Sequence, residues 1–404
     1  MTAHSPSFGA RLEQVRRALH QAGLAALVCR LPENVFFLTG YWPMSSFAFD
    51  LVPADADPAL LLVKTELEYA ANVHVQDIRT FGWGTLADGD PYEQVEAHLA
   101  RLAGERGLRS GRIGVERGFE MVAPGHNWAE LLVPAARTYE LLDRAFPGCT
   151  LADAAPLLHE LRAIKSPEDI AGLRIACEVA HLGLAAFSEH FHEGRSEAEV
   201  AAAVEYAICA QGTGYQPAGG GAPVRRVRAW AQLMTGPASA MAYTPFPAST
   251  SRTIQAGDLG VLELATVADG YWSDLTRTRV ASGQPSERQR LAHTAIVEAH
   301  RAAMGAMRPD VSGRDVDDAA RRVIMQAGFG PYFLHHTGHG LGFRYHEPLP
   351  LLTPAGERAL AAGMVTSLEP GIYIPGWGGL RIEDNVVITP SGAEYLSSFD
   401  PHLG

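Results

Sequence analysis

Two apolar runs in the second half of the chain read as a single β-hairpin and limit the folds open to it. They cover residues 261–274 and flank the turn-forming pair Asp269-Gly270. Each run carries one acid, Glu263 in the first and Asp274 in the second. A carboxylate on a buried strand needs a partner. We expect the two acids, at the far ends of the hairpin, to face each other across the strand pair.

The first part of the chain alternates helical and strand-like segments. Residues 8–22 carry apolar side chains at helical spacing, and a second helix is predicted near 91–102. Apolar runs of strand length separate them. The predicted strands are residues 24–29, 34–38, 59–63 and 113–116. This alternation indicates an α/β layer over residues 1–157, a region without a cluster of catalytic residue types.

A break in a long helical region marks the predicted domain boundary. The helical pattern that begins near residue 157 is interrupted at 165–168. Ser166 suits an N-cap and the following proline the first helical turn, so a new helix is predicted to run toward His190. We therefore expect two domains, which comprise residues 1–157 and 158–404.

The second domain contains a weak internal repeat. Residues 196–212 and 312–328 each begin with a serine that is followed by an acid three positions later. This is the capping-box pattern of a helix start, or its Asp variant. Two halves, each with helices followed by strand-like segments, would form a pseudo-symmetric layer with a cleft at the join. Chance similarity between two capped helices is the alternative.

Composition narrows the class of protein. The formal net charge is −12 and no long run of Lys or Arg occurs, which argues against a nucleic-acid partner. No apolar run approaches the ~18 residues of a membrane span, and the N-terminus lacks a signal-peptide pattern. None of the four cysteines lies in a CxxC pair. We expect reduced core thiols in a cytoplasmic protein.

Five residues of the second domain form a candidate metal site. His339 lies among three glycines, which let backbone and metal approach closely. Glu369 and Glu383 each follow a strand-like apolar run. Together with Glu263 and Asp274 they offer four carboxylates and one imidazole, donors that suit Mn, Zn or Co. Two ions that share bridging carboxylates would clamp an attacking hydroxide.

Each of these residues also has an ordinary interpretation when it is taken alone. Asp274 could cap Thr276 or pair with Arg277. His339 could be a hydrogen-bonded loop histidine, and Glu383 could belong to a surface charge cluster. The set is therefore more informative than any single member.

The order and spacing of these residues resemble the motif series of the M24 (pita-bread) metallopeptidase family, in particular its Xaa-Pro dipeptidases (prolidases) and Xaa-Pro aminopeptidases. The linker 161–168 and the segment 34–41 are also similar to parts of that family. The motifs that carry the resemblance are Ser273–Thr278, His335–Gly342, His346–Pro348, Glu369–Tyr373 and Arg381–Asn385.

The resemblance implies an α/β N-terminal creatinase-like domain followed by an α+β pita-bread catalytic domain with two divalent metal ions. It places one ion on Asp274, His339, Glu369 and Glu383. It places the other on Glu263, with Asp274 and Glu383 as bridging ligands.

The resemblance also implies roles around the metal ions. Glu369 would take the proton from the bridging water. His346 would contact the scissile carbonyl or the leaving part of the substrate. Arg381 and His335 would grip the substrate.

Two positions depart from the family pattern. Glu263 stands where an Asp is usual, and its added methylene pushes the carboxylate ~1.5 Å outward if the backbone stays in place. Tyr243 stands where a His is usual, and it keeps a hydroxyl that can donate a hydrogen bond or relay a proton. Because the other four metal ligands are present, we interpret the site as altered and not as lost.

The leading functional interpretation is hydrolysis of small peptides with proline at the second position. Whether the enzyme is a dipeptidase or an aminopeptidase stays open at this point. The alternatives are a creatinase-like C–N hydrolase that works without metal and a non-catalytic binding scaffold. The resemblance further implies a homodimer in which an exposed aromatic turn around Trp42 lies near the partner's cleft.

Overall fold

The computed structural model describes residues 6–45, 47–71, 73–83, 87–117, 136–244, 248–398 and 402–403. These residues form two compact units that divide between Arg162 and Ala163. Each unit has its own apolar core.

The elements are numbered along the described chain. The helices are α1 Pro6–Ala22, α2 Pro32–Thr39, α3 Pro91–Glu105, α4 Ala136–Ala145, α5 Ala155–Ala163, α6 Pro167–His190, α7 Glu197–Gly212, α8 Glu287–Ala306 and α9 Gly313–Gln326. The strands are β1 Ala26–Cys29, β2 Phe49–Pro53, β3 Ala59–Val63, β4 Asp77–Phe81, β5 Gly111–Val115, β6 Cys149–Asp153, β7 Val227–Thr235, β8 Leu259–Ala268, β9 Tyr271–Val280, β10 Gly338–Gly340, β11 Glu347–Leu352, β12 Val365–Leu368, β13 Gly371–Ile374, β14 Gly378–Arg381, β15 Asp384–Thr389 and β16 Gly392–Tyr395.

The first unit is built on a mixed six-stranded sheet in the order β4-β3-β2-β1-β5-β6. Strand β1 pairs antiparallel with β2 and parallel with β5. The predicted helices near 8–22 and 91–102 are confirmed as α1 and α3, and three predicted strands are confirmed as β1, β3 and β5. The alternation of helices and strands that the sequence predicted is therefore present.

The predicted strand at residues 34–38 is wrong, because this segment lies in helix α2. Pro32 occupies the first turn, and Gly40 ends the helix at a φ of 74°, where glycine carries no steric penalty. The buried Glu116 accepts the backbone N–H of Leu31 at 3.1 Å, next to the start of the helix. An acceptor far along the chain thus stabilises a helix start that the short apolar run does not reveal.

The aromatic turn around Trp42 is less exposed than expected. Tyr41 is 1% exposed, and its hydroxyl donates to the carboxylate of Glu66. Trp42 itself is half-buried. The turn is held in place because Glu66 also accepts the backbone N–H of Met44 at 3.0 Å.

The second unit contains two helix pairs, each followed by antiparallel strands, in agreement with the predicted repeat. Helix α6 begins at Ser166 with a capping box and ends at His190, as predicted. Ser196 and Ser312 likewise cap α7 and α9. The three sheets have the orders β7-β8-β9, β11-β10-β12-β15-β16 and β13-β14.

The predicted hairpin is confirmed as β8 and β9. Its turn residues Asp269 and Gly270 have φ angles of 46° and 96°. Two consecutive positive values match the tight turns whose twist suits a hairpin. The hairpin packs on α6, and its residues Leu262, Leu264 and Leu275 belong to an apolar cluster shared with α6, α7 and β7.

Helix α6 is, within the described part of the chain, the one helix long and apolar enough to cross a membrane by length and composition. Its buried residues include Leu173, Ala176 and Val179. Ala176 and Val179 belong to the core cluster that also contains residues of β8 and β9. Its apolar face therefore packs inside the second unit.

Candidate metal centre

The register of the hairpin decides how its two acids meet. Glu263 pairs with Thr276 and Asp274 pairs with Ala265. The expectation that the two acids lie directly opposite each other is therefore wrong. They are diagonal neighbours two positions apart, and side chains at that spacing share one face of the sheet. The hairpin therefore presents both carboxylates on the same side.

His339 lies at the centre of β10, between β11 and β12. A Cβ at Gly338 or Gly340 would collide with a backbone carbonyl of a neighbouring segment, so only glycine permits this close approach. The Gly340 carbonyl accepts a hydrogen bond of 2.9 Å from Nδ1 of His339. The opposite ring atom, Nε2, lies 3.4 Å from Asp274 and 3.5 Å from Glu369, the geometry of a preoriented metal ligand.

The two remaining glutamates come from segments far along the chain. Glu369 follows β12, and its Oε1 atom accepts a 3.0 Å hydrogen bond from Ser367. Glu383 lies between β14 and β15, and its backbone N–H donates to the Thr276 carbonyl at 3.1 Å. This bridge to β9 brings Glu383 to the hairpin acids.

The five predicted ligands lie together in the folded chain. Three groups of residues each offer ligand atoms within 4.8 Å of one another. They are Asp274, His339 and His346; His336, His339 and Glu369; and Glu263, Asp274 and Glu383.

The donor set fits a divalent cation. Oδ1 of Asp274 and Oε1 of Glu383 are buried without a hydrogen-bond partner among the described residues. Buried polar atoms are normally satisfied, so two unpartnered carboxylate oxygens within one cluster of buried acids suit the binding of a cation. Carboxylate oxygens and imidazole nitrogens are typical ligands of divalent metals.

The pKa shifts of the clustered acids also favour binding of a cation. Burial, followed by the charges of Glu383 and Glu369, raises the pKa of Asp274 well above its usual 3.8. Burial and the charge of Glu369 also raise the pKa of Glu383 to about 8. Burial opposes ionisation of Glu369 too, but its hydrogen bond with His336 and the nearby imidazoles bring its pKa below 4.5. The cluster needs a cation to hold all its acids ionised.

Glu263 differs from the other acids because protein donors hold both its oxygens. The Tyr345 hydroxyl donates to Oε1, and the Arg381 guanidinium pairs with Oε2. Thr276 lies 2.8 Å from the same Oε2 atom and 2.7 Å from Glu383. Glu263 still offers a ligand atom beside Asp274 and Glu383.

Two of the three predicted substrate-binding residues, His335 and Arg381, lie beside Tyr373. The Tyr373 hydroxyl lies 2.9 Å from Nε2 of His335 and 3.3 Å from Nη1 of Arg381. The ring of Tyr243 packs against the Tyr373 ring with centroids 5.6 Å apart. Arg381 is 6% exposed and also donates to the Ala242 carbonyl at 3.0 Å.

His346 lies on the other side of the cluster. Its ring centroid is 4.1 Å from that of His339. Burial and the nearby His339 hold the pKa of His346 well below 6.5, and burial also lowers the pKa of His335. Both rings are therefore neutral near pH 7 and can donate one N–H each.

Two residues of the site were not predicted from the sequence. His336 lies 3.5 Å from Glu369, and Tyr345 contacts Glu263. Each is a direct neighbour of a predicted residue, which is the only sequence signal that points to it. The pairing of Tyr345 with a residue 82 positions earlier depends on the tertiary fold.

Two buried ion pairs support the segments that carry these ligands. Arg277 donates to Asp384 at 2.8 Å, directly after Glu383. Lys165 lies 3.2 Å from Glu347, directly after His346, and both side chains are almost fully buried. Removal of one partner from a buried ion pair leaves an uncompensated charge and destabilises the fold.

Comparison with known proteins agrees with this architecture. Residues 171–390 match the model of Metallopeptidase family M24, and residues 11–164 match the Creatinase/Prolidase N-terminal domain. The Xaa-Pro dipeptidase of Pyrococcus furiosus is 38% identical over 247 residues, which are 61% of this chain and 66% of that protein. In that alignment the chain spans just under two thirds of its relative's length. The Xaa-Pro dipeptidase of Lactobacillus helveticus is 30% identical over 92% of both chains.

Solved structures extend the likeness over nearly the whole chain. The prolidase from Pyrococcus horikoshii OT3 has a TM-score of 0.76 and 26% identity, with 98% of this chain and 99% of that chain covered. Dipeptidase PepE from Mycobacterium ulcerans has a TM-score of 0.74 and 30% identity, with 99% of each covered. The expected creatinase-like N-terminal domain and pita-bread catalytic domain are thereby confirmed. The chain belongs to Metallopeptidase family M24.

Proposed function

We propose that this chain hydrolyses Xaa-Pro peptide bonds with two divalent metal ions held by Glu263, Asp274, His339, Glu369 and Glu383. The observation that carries the proposal is a cluster of buried acids and His339 in which Oδ1 of Asp274 and Oε1 of Glu383 have no hydrogen-bond partner among the described residues. The relatives named Xaa-Pro dipeptidase support the substrate class. Mn, Zn or Co suits a set that is mostly oxygen with one imidazole.

The metal ions, when bound, supply Lewis-acid polarisation of the peptide carbonyl and acidify water. In the proposed mechanism Glu369 accepts the proton of the attacking water, because its lowered pKa keeps it ionised near pH 7. Neutral His346 donates its N–H to the substrate's carbonyl or leaving part. The Tyr243 hydroxyl donates to the oxyanion of the tetrahedral intermediate.

His335, His346 and Arg381 form the proposed substrate-binding set. His335 and Arg381 both contact the Tyr373 hydroxyl, so they belong to one rigid wall of the site. Proline lacks an amide hydrogen and restricts the residue before it, which makes Xaa-Pro bonds poor substrates for ordinary peptidases. A wall of fixed side chains suits such a stiff substrate because little entropy remains to be lost on binding.

We further propose that the two domains comprise residues 1–157 and 158–404, that the protein is cytoplasmic and that it forms a homodimer. The division of the compact units after Arg162 and the family matches at 11–164 and 171–390 support a boundary in this region.

Metal analysis combined with peptide hydrolysis tests the proposal. The purified protein should bind about two divalent ions, as expected for a dinuclear site, and cleave Xaa-Pro dipeptides or tripeptides. Matched Xaa-Ala peptides are the control and should be cleaved much more slowly. Activity that survives removal of all metal by a chelator would favour the creatinase-like C–N hydrolase. Absence of both metal and hydrolysis would favour the binding scaffold.

The two peptide lengths also separate the two peptidase types. Cleavage of dipeptides alone would identify a dipeptidase, and cleavage of the tripeptides would identify an aminopeptidase.

A further inference from the structure

The carboxylate of Glu263 is held from two sides. On one side the Tyr345 hydroxyl donates to Oε1. On the other side Arg381 pairs with Oε2, and Thr276 lies 2.8 Å from the same atom. Neither Asp274 nor Glu383 has both oxygens engaged in this way among the described residues.

Packing sets the position of the Tyr345 ring. The ring is 7% exposed and lies 4.5 Å from the His346 ring and 6.0 Å from the Trp272 ring, between centroids. Trp272 in turn stacks on Trp230 at 5.5 Å. A side chain fixed by aromatic neighbours on both sides presents its hydroxyl at a defined point.

Glu263 requires such support because of its length. A glutamate has one more rotatable bond than an aspartate, and each freely rotating torsion must be ordered before the carboxylate can bind an ion. While Tyr345 and Arg381 hold it, Glu263 places an oxygen within 4.8 Å of ligand atoms of Asp274 and Glu383. The contacts with Tyr345 and Arg381 therefore coexist with an arrangement that is ready for a metal ion.

We propose that Tyr345 is a positioning residue that fixes Glu263 as a ligand of the second metal position. This inference rests on the proposed two-metal centre. Tyr345 acts through Glu263, and its hydroxyl compensates for the extra methylene in this chain. The Tyr345 hydroxyl also contacts Asp274, which is proposed to bridge both positions, whereas the other ligands of the first position are His339, Glu369 and Glu383.

The test is a metal titration of the metal-free Tyr345→Phe variant with Co²⁺ and with Mn²⁺. Calorimetry measures both ions, and visible absorption reports the Co²⁺ environment. The second binding step should weaken roughly 10–100-fold, the usual effect of losing a group that orients a ligand, and the first step should change much less. Tyr215→Phe is the matched control, because that tyrosine also donates to a carboxylate, Glu178 at 3.1 Å, elsewhere in the unit.

A second variant separates positioning from a general loss of structure. In the Glu263→Asp background the shorter side chain has one torsion fewer, so Tyr345→Phe should change the second binding step several-fold less. Thermal unfolding by circular dichroism checks that each variant is folded. A second step that is unchanged or tighter in Tyr345→Phe would overturn the inference. A wild type that binds one ion or none would instead overturn the proposed two-metal function on which the inference rests.

Discussion

Thr276 and Glu383 are joined by two hydrogen bonds, although they lie 107 residues apart. The Glu383 backbone N–H donates to the Thr276 carbonyl at 3.1 Å, and the Thr276 hydroxyl donates to Glu383 Oε2 at 2.7 Å. This link places a glutamate from the last part of the chain beside the acids of the hairpin. It leaves Glu383 Oε1 buried without a hydrogen-bond partner among the described residues.

Asp274→Ala or Glu383→Ala should abolish both metal binding and hydrolysis, because each residue is proposed to bridge the two ions. Metal content by mass spectrometry and turnover of an Xaa-Pro dipeptide measure the two effects. Glu394→Ala removes an exposed carboxylate of the same domain and should leave both unchanged. Near wild-type turnover of either site variant at saturating metal would contradict the two-metal proposal.

Tyr243→Phe should lower turnover by about 10²–10⁴-fold while metal content stays the same. Phenylalanine keeps the ring that packs on Tyr373 and removes only the hydroxyl. Steady-state kinetics should show the loss in kcat, since the proposed hydrogen bond forms with the tetrahedral intermediate. Unaltered kcat would show that the ring only fills the space of the usual histidine.

Arg277→Met should destabilise the second unit by about 3–5 kcal/mol, since it leaves the carboxylate of Asp384 buried without its cation. In the folded protein Arg277 and a hydrogen bond with His300 overcome burial and lower the pKa of Asp384 to about 2. Urea unfolding measures the change. Arg314→Met breaks an exposed pair with Glu357 and should change stability by less than about 1 kcal/mol. Equal effects of the two substitutions would contradict this reasoning.

Glu116→Gln should reduce the pH dependence of unfolding of the first unit. Burial raises the pKa of Glu116 from 4.5 to about 7 in the folded state. The folded protein therefore keeps a proton that the unfolded chain releases in this range, and stability falls as the pH rises from 4.5 to 7. Urea unfolding at pH 5 and at pH 8 measures the free energy of unfolding. Between these pH values wild type should lose roughly 2–3 kcal/mol more of that free energy than the variant.

The matched control for this pH experiment is Glu13→Gln, at an exposed carboxylate of helix α1. It should keep the wild-type pH dependence. The same pH dependence in Glu116→Gln as in wild type would show that other groups cause it.

The protein should form a homodimer in solution, with the neighbourhood of Trp42 near the partner's cleft. Trp42 is half-buried in one chain, and the neighbouring Met44 is 50% exposed. Light scattering at micromolar concentration should therefore give twice the chain mass of 43.4 kDa. A mass near that of one chain would contradict the proposal. The Met44→Asp variant should shift the equilibrium from dimer toward monomer.

Local patterns alone were enough to predict several elements. The capping serines Ser166, Ser196 and Ser312 mark helix starts because the caps depend on residues within one turn. The Asp269-Gly270 turn marks the hairpin because few residue pairs accept two positive φ angles. The helix at 32–39 was missed, since a run of this length has no distinctive period and its start is stabilised by Glu116.

The sequence by itself determined which chemical groups are available: four carboxylates, one imidazole and the glycines that flank it. Only the tertiary structure decided how these groups meet. The strand register made Glu263 and Asp274 diagonal neighbours, and packing brought the hydroxyl of Tyr345 to Glu263. The physical reason is that identity and local conformation depend on adjacent residues. Distances between ligands and the burial that shifts their pKa values depend on contacts between segments far apart in the chain.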